Sequence, residues 1–443
     1  MIRINCLYRA LFIVAICGFA FAADAKRGWY QFHGPNRDNI CTETGLLKRW
    51  PEGGPKLLWT AKDLGKGFSS MSIVDDTIFI VGKVGVKTVI FALDMDGRLK
   101  WQKENGESWE ANPRHRWAVG HSGSRCTPTI DDGVAYQLND LGRLVALDAS
   151  TGREIWSVLF SERFGAKRPQ WAYAESPLVD GDRLYCYPGG PKGYMVALDK
   201  KTGETIWANT KIGERASYCS NILVECEGIR QLITMTESSV IGVAPKDGEL
   251  LWKYPFRNRR GINISYPIYR DGRVVVSSGY GKGTLQARLT RQGEVFQAEE
   301  TWTSAAPDNH HGGLVLIGDY LYGSGNVAKG WTCLNFLTGE VSYTADPQGK
   351  GSVLYADGML YCLDERGTME LVPVDPAKRQ VVSSFRVPRG GDSRYWAHPV
   401  IHNGILYVRH DAHLYAYDIR ANQRAVVRTS ASGRGREELR AVR

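Results

Sequence analysis

The residues of this chain that could do chemistry sit in segments that do not repeat. Seven such segments are rich in aromatic, His and basic side chains: "RHRWAVGHSGSRC", "RPQWAYAES", "GERASYCSN", "RGINISYP", "PDNHHGG", "QGKGS" and "GGDSRYWAHP". The first four supply His121, Arg125, Trp171, Tyr173, Arg215, Tyr218 and Asn263. The last three supply His310, His311, Lys350, Arg394, Trp396 and His398. Arg and Lys bind carboxylates and phosphates, and Trp offers a flat face to a planar ring. The ligand this set predicts is small and anionic or sugar-like, or else a segment of another protein. Carboxylates are few, chiefly Glu175, Asp308 and Asp392, and the first two are the candidates for a catalytic base.

Other chemistry is poorly supported. His310 and His311 are adjacent, so on a strand they would point to opposite sides, although His121, His311 and His398 could converge across one opening. No metal site is predicted. "GYGKGT" lacks the spacing of a phosphate-binding loop and reads as a hairpin, while "GHSGS" lacks the strand-to-helix setting of a nucleophile elbow.

The elements that must position these residues are short strands. The chain has 443 residues, 43% of them hydrophobic, with 49 glycines and 13 tryptophans. Runs such as "TIFIVG", "RLYCYP" and "RVVVSS" are β-rich and bounded by Gly or Asp, which predicts an all-β protein. "ALDASTGREIW" at 146–156 returns as "ALDKKTGETIW" at 197–207. Its glycine recurs at Gly97, Gly152, Gly203, Gly248, Gly293 and Gly339, in steps of 45 to 55 residues. A second series, including "TPTIDDGVAY", "SPLVDGDRLY", "SVLYADGMLY" and "HPVIHNGILY", has eight members.

Two series with one period predict a four-stranded unit repeated eight times, an eight-bladed β-propeller over 29–421. Trp59, Trp101, Trp156, Trp207 and Trp252 are expected as anchors between blades, and the strand around Leu57–Thr60 as the piece that closes the last blade. The seven segments above all precede innermost strands, so they converge on one mouth of the central channel.

The ends carry separate signals. Residues 1–23 read as a secretory leader, with Arg3 and Arg9, an apolar run from Ala10 to Phe21 and a small-residue cleavage site near Ala22. Export to the periplasm or beyond is expected, with membrane contact only through an uncleaved leader. Residues 422–443 read as a basic, disordered tail, and stretch 420–443 holds seven of the arginines behind the net charge of +9. No nucleic-acid partner is expected, and the protein reads as a monomer. Seven cysteines remain after the leader, without CxxC or CxxCH spacing, and are expected as buried apolar residues.

The motif A-x-D-x-x-T-G-x-x-x-W resembles the repeat of pyrroloquinoline-quinone (PQQ) propellers. "GWYQFHGPNRDNICTETGLLKRWPEGGPKLLW" and "RYWAHPVIHNGILYVRH" are similar to secreted PQQ-repeat proteins of planctomycete type. The resemblance implies either a quinoprotein alcohol or sugar dehydrogenase or a non-catalytic propeller like that of the outer-membrane β-barrel assembly machine. A PQQ enzyme would need an aromatic floor, cations for three carboxylates, oxygen ligands for Ca²⁺ and a carboxylate base. Under that reading Arg125 or Lys350 contacts the quinone and Glu175 or Asp308 is the base. The adjacent-cysteine pair of many such dehydrogenases is absent, as is a haem motif. The expectation is therefore a binding or scaffold module that requires no cofactor, with a PQQ- and calcium-dependent oxidoreductase as the alternative.

Overall fold

The computed structural model describes residues 28–421 apart from 113, 115–119 and 347–348. The expected leader and basic tail lie outside the described residues. Eight sheets, each with four antiparallel strands, follow one another along the chain as the blades of a β-propeller. Their innermost strands are Ser72–Val74, Thr129–Asp131, Leu178–Asp180, Ile222–Cys226, Ile268–Arg270, Leu314–Ile317, Gly351–Ala356 and Val400–His402, in order from first blade to eighth.

Local sequence accounts for the hairpins. In six blades the two residues after the innermost strand both have positive φ, as in Asp132-Gly133, Asp271-Gly272 and Asn403-Gly404. That is the type I′ turn, whose twist matches the flanking strands. Between third and fourth strands, Asp148 Oδ1 accepts the backbone N–H groups of Ser150 and Thr151, and Asp199 does the same for Lys201 and Thr202. The side chain completes each turn without help from a neighbouring strand.

The tryptophans tie blade to blade. The indole N–H groups of Trp59, Trp101, Trp156 and Trp207 donate to carbonyls of Met95, Ala149, Lys200 and Pro245 in the third-to-fourth-strand turn of the next blade, at 2.9–3.0 Å. Each ring also covers that turn's glycine. A Cβ on Gly203 would stand 2.6 Å from Trp156 Cε3, and its φ of 73° already disfavours other residues.

Trp252 departs from the pattern. It is buried against the fifth blade, but its N–H turns back to Gln231 of its own sheet at 2.6 Å. A sixth anchor, Trp302, donates to Phe336 O at 3.0 Å and covers Gly339. The repeat conceals it because the strands Gly283–Gln292 and Val295–Ser304 are ten residues each, which moves the ring farther past the turn.

Lys56–Ala61 is the outer strand of the eighth blade, pairing antiparallel with His413–Asp418 with Trp59 opposite Ala416. The first and last parts of the described chain thus share one sheet. The seven cysteines are buried, with free thiols.

Residues 29–41 have no counterpart in the repeat, and they form a plug across the channel. Trp29 bridges to Ile73, and Tyr30 O accepts the N–H of Ile130. The Arg37 guanidinium donates to the carbonyls of Ser176, Pro177 and Asn221, where the chain enters the third and fourth blades. His33 packs on Tyr266 of the fifth-blade entry and meets His398 of the eighth, while Asn39 donates to Val353 of the seventh. Ile40–Cys41 then pairs in parallel with Gly351–Ala356. Seven of the eight blades therefore touch this one segment. His33, Arg37 and Asn39 all take left-handed backbone conformations, which these contacts hold in place.

Candidate functional site

Above the plug the channel widens into a funnel of about 810 Å³. Phe32 and His33 of the plug form part of its lining, and the rest comes from the loops that enter the blades. Ten of the thirteen residues expected to bind ligand line it: His121, Arg125, Trp171, Tyr218, His310, His311, Lys350, Arg394, Trp396 and His398. They come together because the loop before each innermost strand opens onto the same face of the ring.

Trp396 stands at the centre of a ring cluster. His121 stacks on it at 5.1 Å with an interplanar angle of 17°, His311 lies 4.7 Å away, and Phe68 5.4 Å away. Lys350 Nζ sits 4.8 Å from the ring centroid. Its N–H donates to Glu365 Oε2 at 3.2 Å, an oxygen 3.9 Å from Lys350 Nζ. Trp396 is therefore a post that fixes the neighbours' side chains, with much of its surface already occupied.

His310 and His311 do not lie on a strand, and both reach the funnel, with their Nδ1 atoms 3.3 Å apart. The opposite-sided arrangement expected for adjacent strand residues does not apply. His310 Nε2 meets Tyr280 Oη at 3.0 Å. Burial lowers the proton affinity of His121, and nearby Arg125, Lys350 and Arg394 lower it further. Burial also holds His310 and His311 well below the usual histidine range, and takes His398 down to about 4. All four rings are neutral at neutral pH. Among the described residues, the charge facing the funnel is then that of Arg125, Arg260, Lys350 and Arg394 against a single carboxylate, Glu365.

Arg125 also has a structural role. Its guanidinium donates to the carbonyls of Gly123 and His121 and lies over the rings of Phe68 and Trp109.

Five expected residues lie off the funnel lining. Tyr173 is buried, with its hydroxyl on Pro188 O at 2.9 Å. Asn263 is fully buried and its amide ties Thr236 O to Phe256 O. Arg215 is exposed elsewhere on the surface. Glu175 accepts from Tyr187 N–H at 2.8 Å and Asn221 Nδ2 at 2.6 Å, and burial raises its carboxyl to about 8. Asp308 accepts the backbone N–H groups of Asn326, Val327, Ala328 and Gly281. Both candidate bases thus have their oxygens engaged inside the protein, so neither is placed to take a proton from a molecule in the funnel.

A family profile described as outer membrane protein assembly factor BamB matches residues 86–345. The chain belongs to this PQQ-repeat family. Quinohemoprotein alcohol dehydrogenase ADH-IIG of Pseudomonas putida is 32% identical over 162 residues, 34% of this chain and 21% of that protein. BamB of Burkholderia pseudomallei is 30% identical over 173 residues, 38% of this chain and 41% of that protein. The alignments therefore span well under half the length of these relatives. The crystal structure of BamB from Moraxella catarrhalis superposes with a TM-score of 0.58 at 14% identity, covering 84% of this chain and 99% of that one. At that identity the likeness extends to the fold.

One of these relatives is named a quinohemoprotein, so the donor set of this PQQ-repeat propeller matters. The funnel offers cations and rings, but among the described residues Glu365 is its one carboxylate and already holds the Trp396 N–H. Among the described residues no group of three His, Cys, Asp or Glu could hold a metal ion. The side chains therefore do not fit a quinone supported by calcium.

Sequence reasoning missed Phe32, His33, Arg260, Tyr266, Tyr280 and Glu365. A usable signal existed for two of them. The turn between second and third strands opens on the same face as the loop entering a blade, so Tyr280 in "GYGKG" and Glu365 in "DERG" were bound to face the mouth.

Proposed function

We propose that the chain is an exported binding module whose funnel captures a small anionic or sugar-like ligand. One observation carries the reading: among the described residues four cations face a walled cavity in which a single carboxylate opposes them and five histidines, His33 included, are held neutral. Such a set attracts an anion and presents N–H and O–H donors to it without competing acids. The leader pattern at 1–23 supports export. The displaced carboxylates Glu175 and Asp308 favour binding over turnover.

Calorimetry tests this with citrate, D-galacturonate, and PQQ with and without Ca²⁺. Saturable binding of at least one anion is expected, weakened about tenfold or more by Lys350→Ala or Arg394→Ala with thermal stability unchanged. No saturable binding, or binding indifferent to both substitutions, removes the proposal. Calcium-dependent PQQ binding with dye reduction by an alcohol or sugar would replace it with an oxidoreductase.

A further inference from the structure

Beside the funnel a second cavity of about 580 Å³ opens, and His121, Glu365 and Arg394 belong to the walls of both. Its lining is dominated by Arg366, Arg386, Arg389 and Arg394, opposed by Glu365 and Asp392. All four arginines are exposed. Among the described residues none of them is in an ion pair, and Arg386 reaches only the Thr368 hydroxyl, at 3.1 Å.

The backbone that presents Arg389 and Arg394 is fixed. Gly390 N–H donates to His410 Nδ1 at 2.7 Å, and His410 Nε2 donates to Ser393 O at 3.0 Å. Asp392 N–H donates to Asp411 Oδ2, and the Tyr395 ring stacks on His410 at 3.7 Å. A Cβ on Gly390 or Gly391 would run into His410 O or the Asp411 carboxylate, so the loop has no room to shift inward. Like charges gathered around one groove repel one another, which stability alone does not favour. They are useful if an anion comes between them.

The shape and chemistry narrow the occupant. Among the described residues no aliphatic side chain lines the groove, so they offer a peptide no pocket for an apolar anchor. Guanidinium forks match carboxylate or sulfate groups, and continuity with the funnel calls for a ligand longer than one unit. We propose that funnel and groove together bind an acidic oligosaccharide, one unit in the funnel and the next units across the arginines. The proposal rests on the funnel reading above and extends it to a ligand class and a second subsite.

Calorimetry on the full chain tests it with D-galacturonate, D-galactose 4-sulfate, a tetrasaccharide of each kind, and a hexaglutamate peptide. At least one tetrasaccharide is expected to bind tenfold or more tighter than its monomer. Which of the two gains identifies the anionic group. The exposed-site variant R366E/R389E should abolish the gain and leave monomer affinity in place, with R366Q/R389Q used if charge reversal disturbs folding. Equal affinity of tetramer and monomer, or a gain that survives the variant, overturns the extension alone. Hexaglutamate binding as tightly as the sugars overturns it in favour of an acidic protein segment. Failure of both monomers together with the other anions removes the funnel reading itself.

Discussion

His33 Nε2 lies 3.1 Å from His398 Nδ1, and His398 Nε2 lies 2.9 Å from the carbonyl oxygen of His311. A carbonyl only accepts, so His398 carries its proton on Nε2 and accepts on Nδ1. His33 must then donate from Nε2, which leaves its buried Nδ1 without a partner among the described residues. Both rings are neutral, each in one tautomer, and the chain links the plug to the sixth- and eighth-blade entries.

Stability should therefore fall in mild acid. Unfolded histidines take up a proton near 6.5, whereas folded His398 does so only near 4, and His33, His310 and His311 well below 6.5. Their contribution is complete above about pH 6.5 and lost as pH drops toward 4, about 3 kcal/mol for His398 alone. Glu175, Asp140 and Asp38, with raised carboxyls, act in the opposite sense but are three against seven, since burial also lowers His121, His402 and His410. Urea unfolding from pH 7.5 to 4.5 should show this decline, and His398→Gln should flatten it. A stability that is level or rises toward pH 4.5 contradicts the assignment.

Arg37 should be the most sensitive position in the plug. It is fully buried, its guanidinium holds three carbonyls and its Nε donates to Gln31 Oε1 at 2.9 Å. Arg37→Met leaves those carbonyls and neighbouring Glu175 without their donor or charge, at a cost of about 3 kcal/mol or more. Limited proteolysis should then cut between 28 and 55 in the variant and not in the parent. Equal resistance in both would show that the plug does not depend on Arg37.

The inter-blade lock can be separated into its parts. Trp156→Phe removes the bond to Lys200 O and should cost about 1 kcal/mol, while Gly203→Ala adds a clash to an unfavourable φ and should cost about 2 kcal/mol or more. Chemical denaturation measures both. A smaller loss for Gly203→Ala than for Trp156→Phe would mean the turn relaxes away from the ring.

Trp396 should act by positioning. With His121, His311, Phe68 and Lys350 around it, Trp396→Leu should weaken anion binding about tenfold by releasing Lys350, and Trp396→Phe should restore most of it. Calorimetry with D-galacturonate at low and high salt reads this out. The Leu variant should also show a weaker salt dependence, and an unchanged dependence would locate the binding cation elsewhere.

The fold was legible in the sequence because each blade satisfies its own turns: Asp148 and Asp199 cap locally, and Gly152 and Gly203 recur where rings must pass. Trp59 ahead of the first unit announced the closing strand. The site was legible only in outline. Loop residues such as His121, Lys350 and Trp396 had to face one mouth once the ring was known, yet whether a carboxylate points in or out depends on which backbone N–H groups lie nearby. Asp308 turns to the 326–328 backbone, and no periodicity encodes that. The plug was invisible for a related reason, since residues 29–41 take their shape from seven blades that lie far along the chain.

That last dependence sets an order of assembly. The partners of residues 29–41 extend from Ile73 to His398, so the segment has nowhere to settle until nearly the whole ring exists. The part of the described chain that is synthesised first is locked last. Once it is in place, the passage is a blind end, and whatever enters the funnel must leave by the way it came.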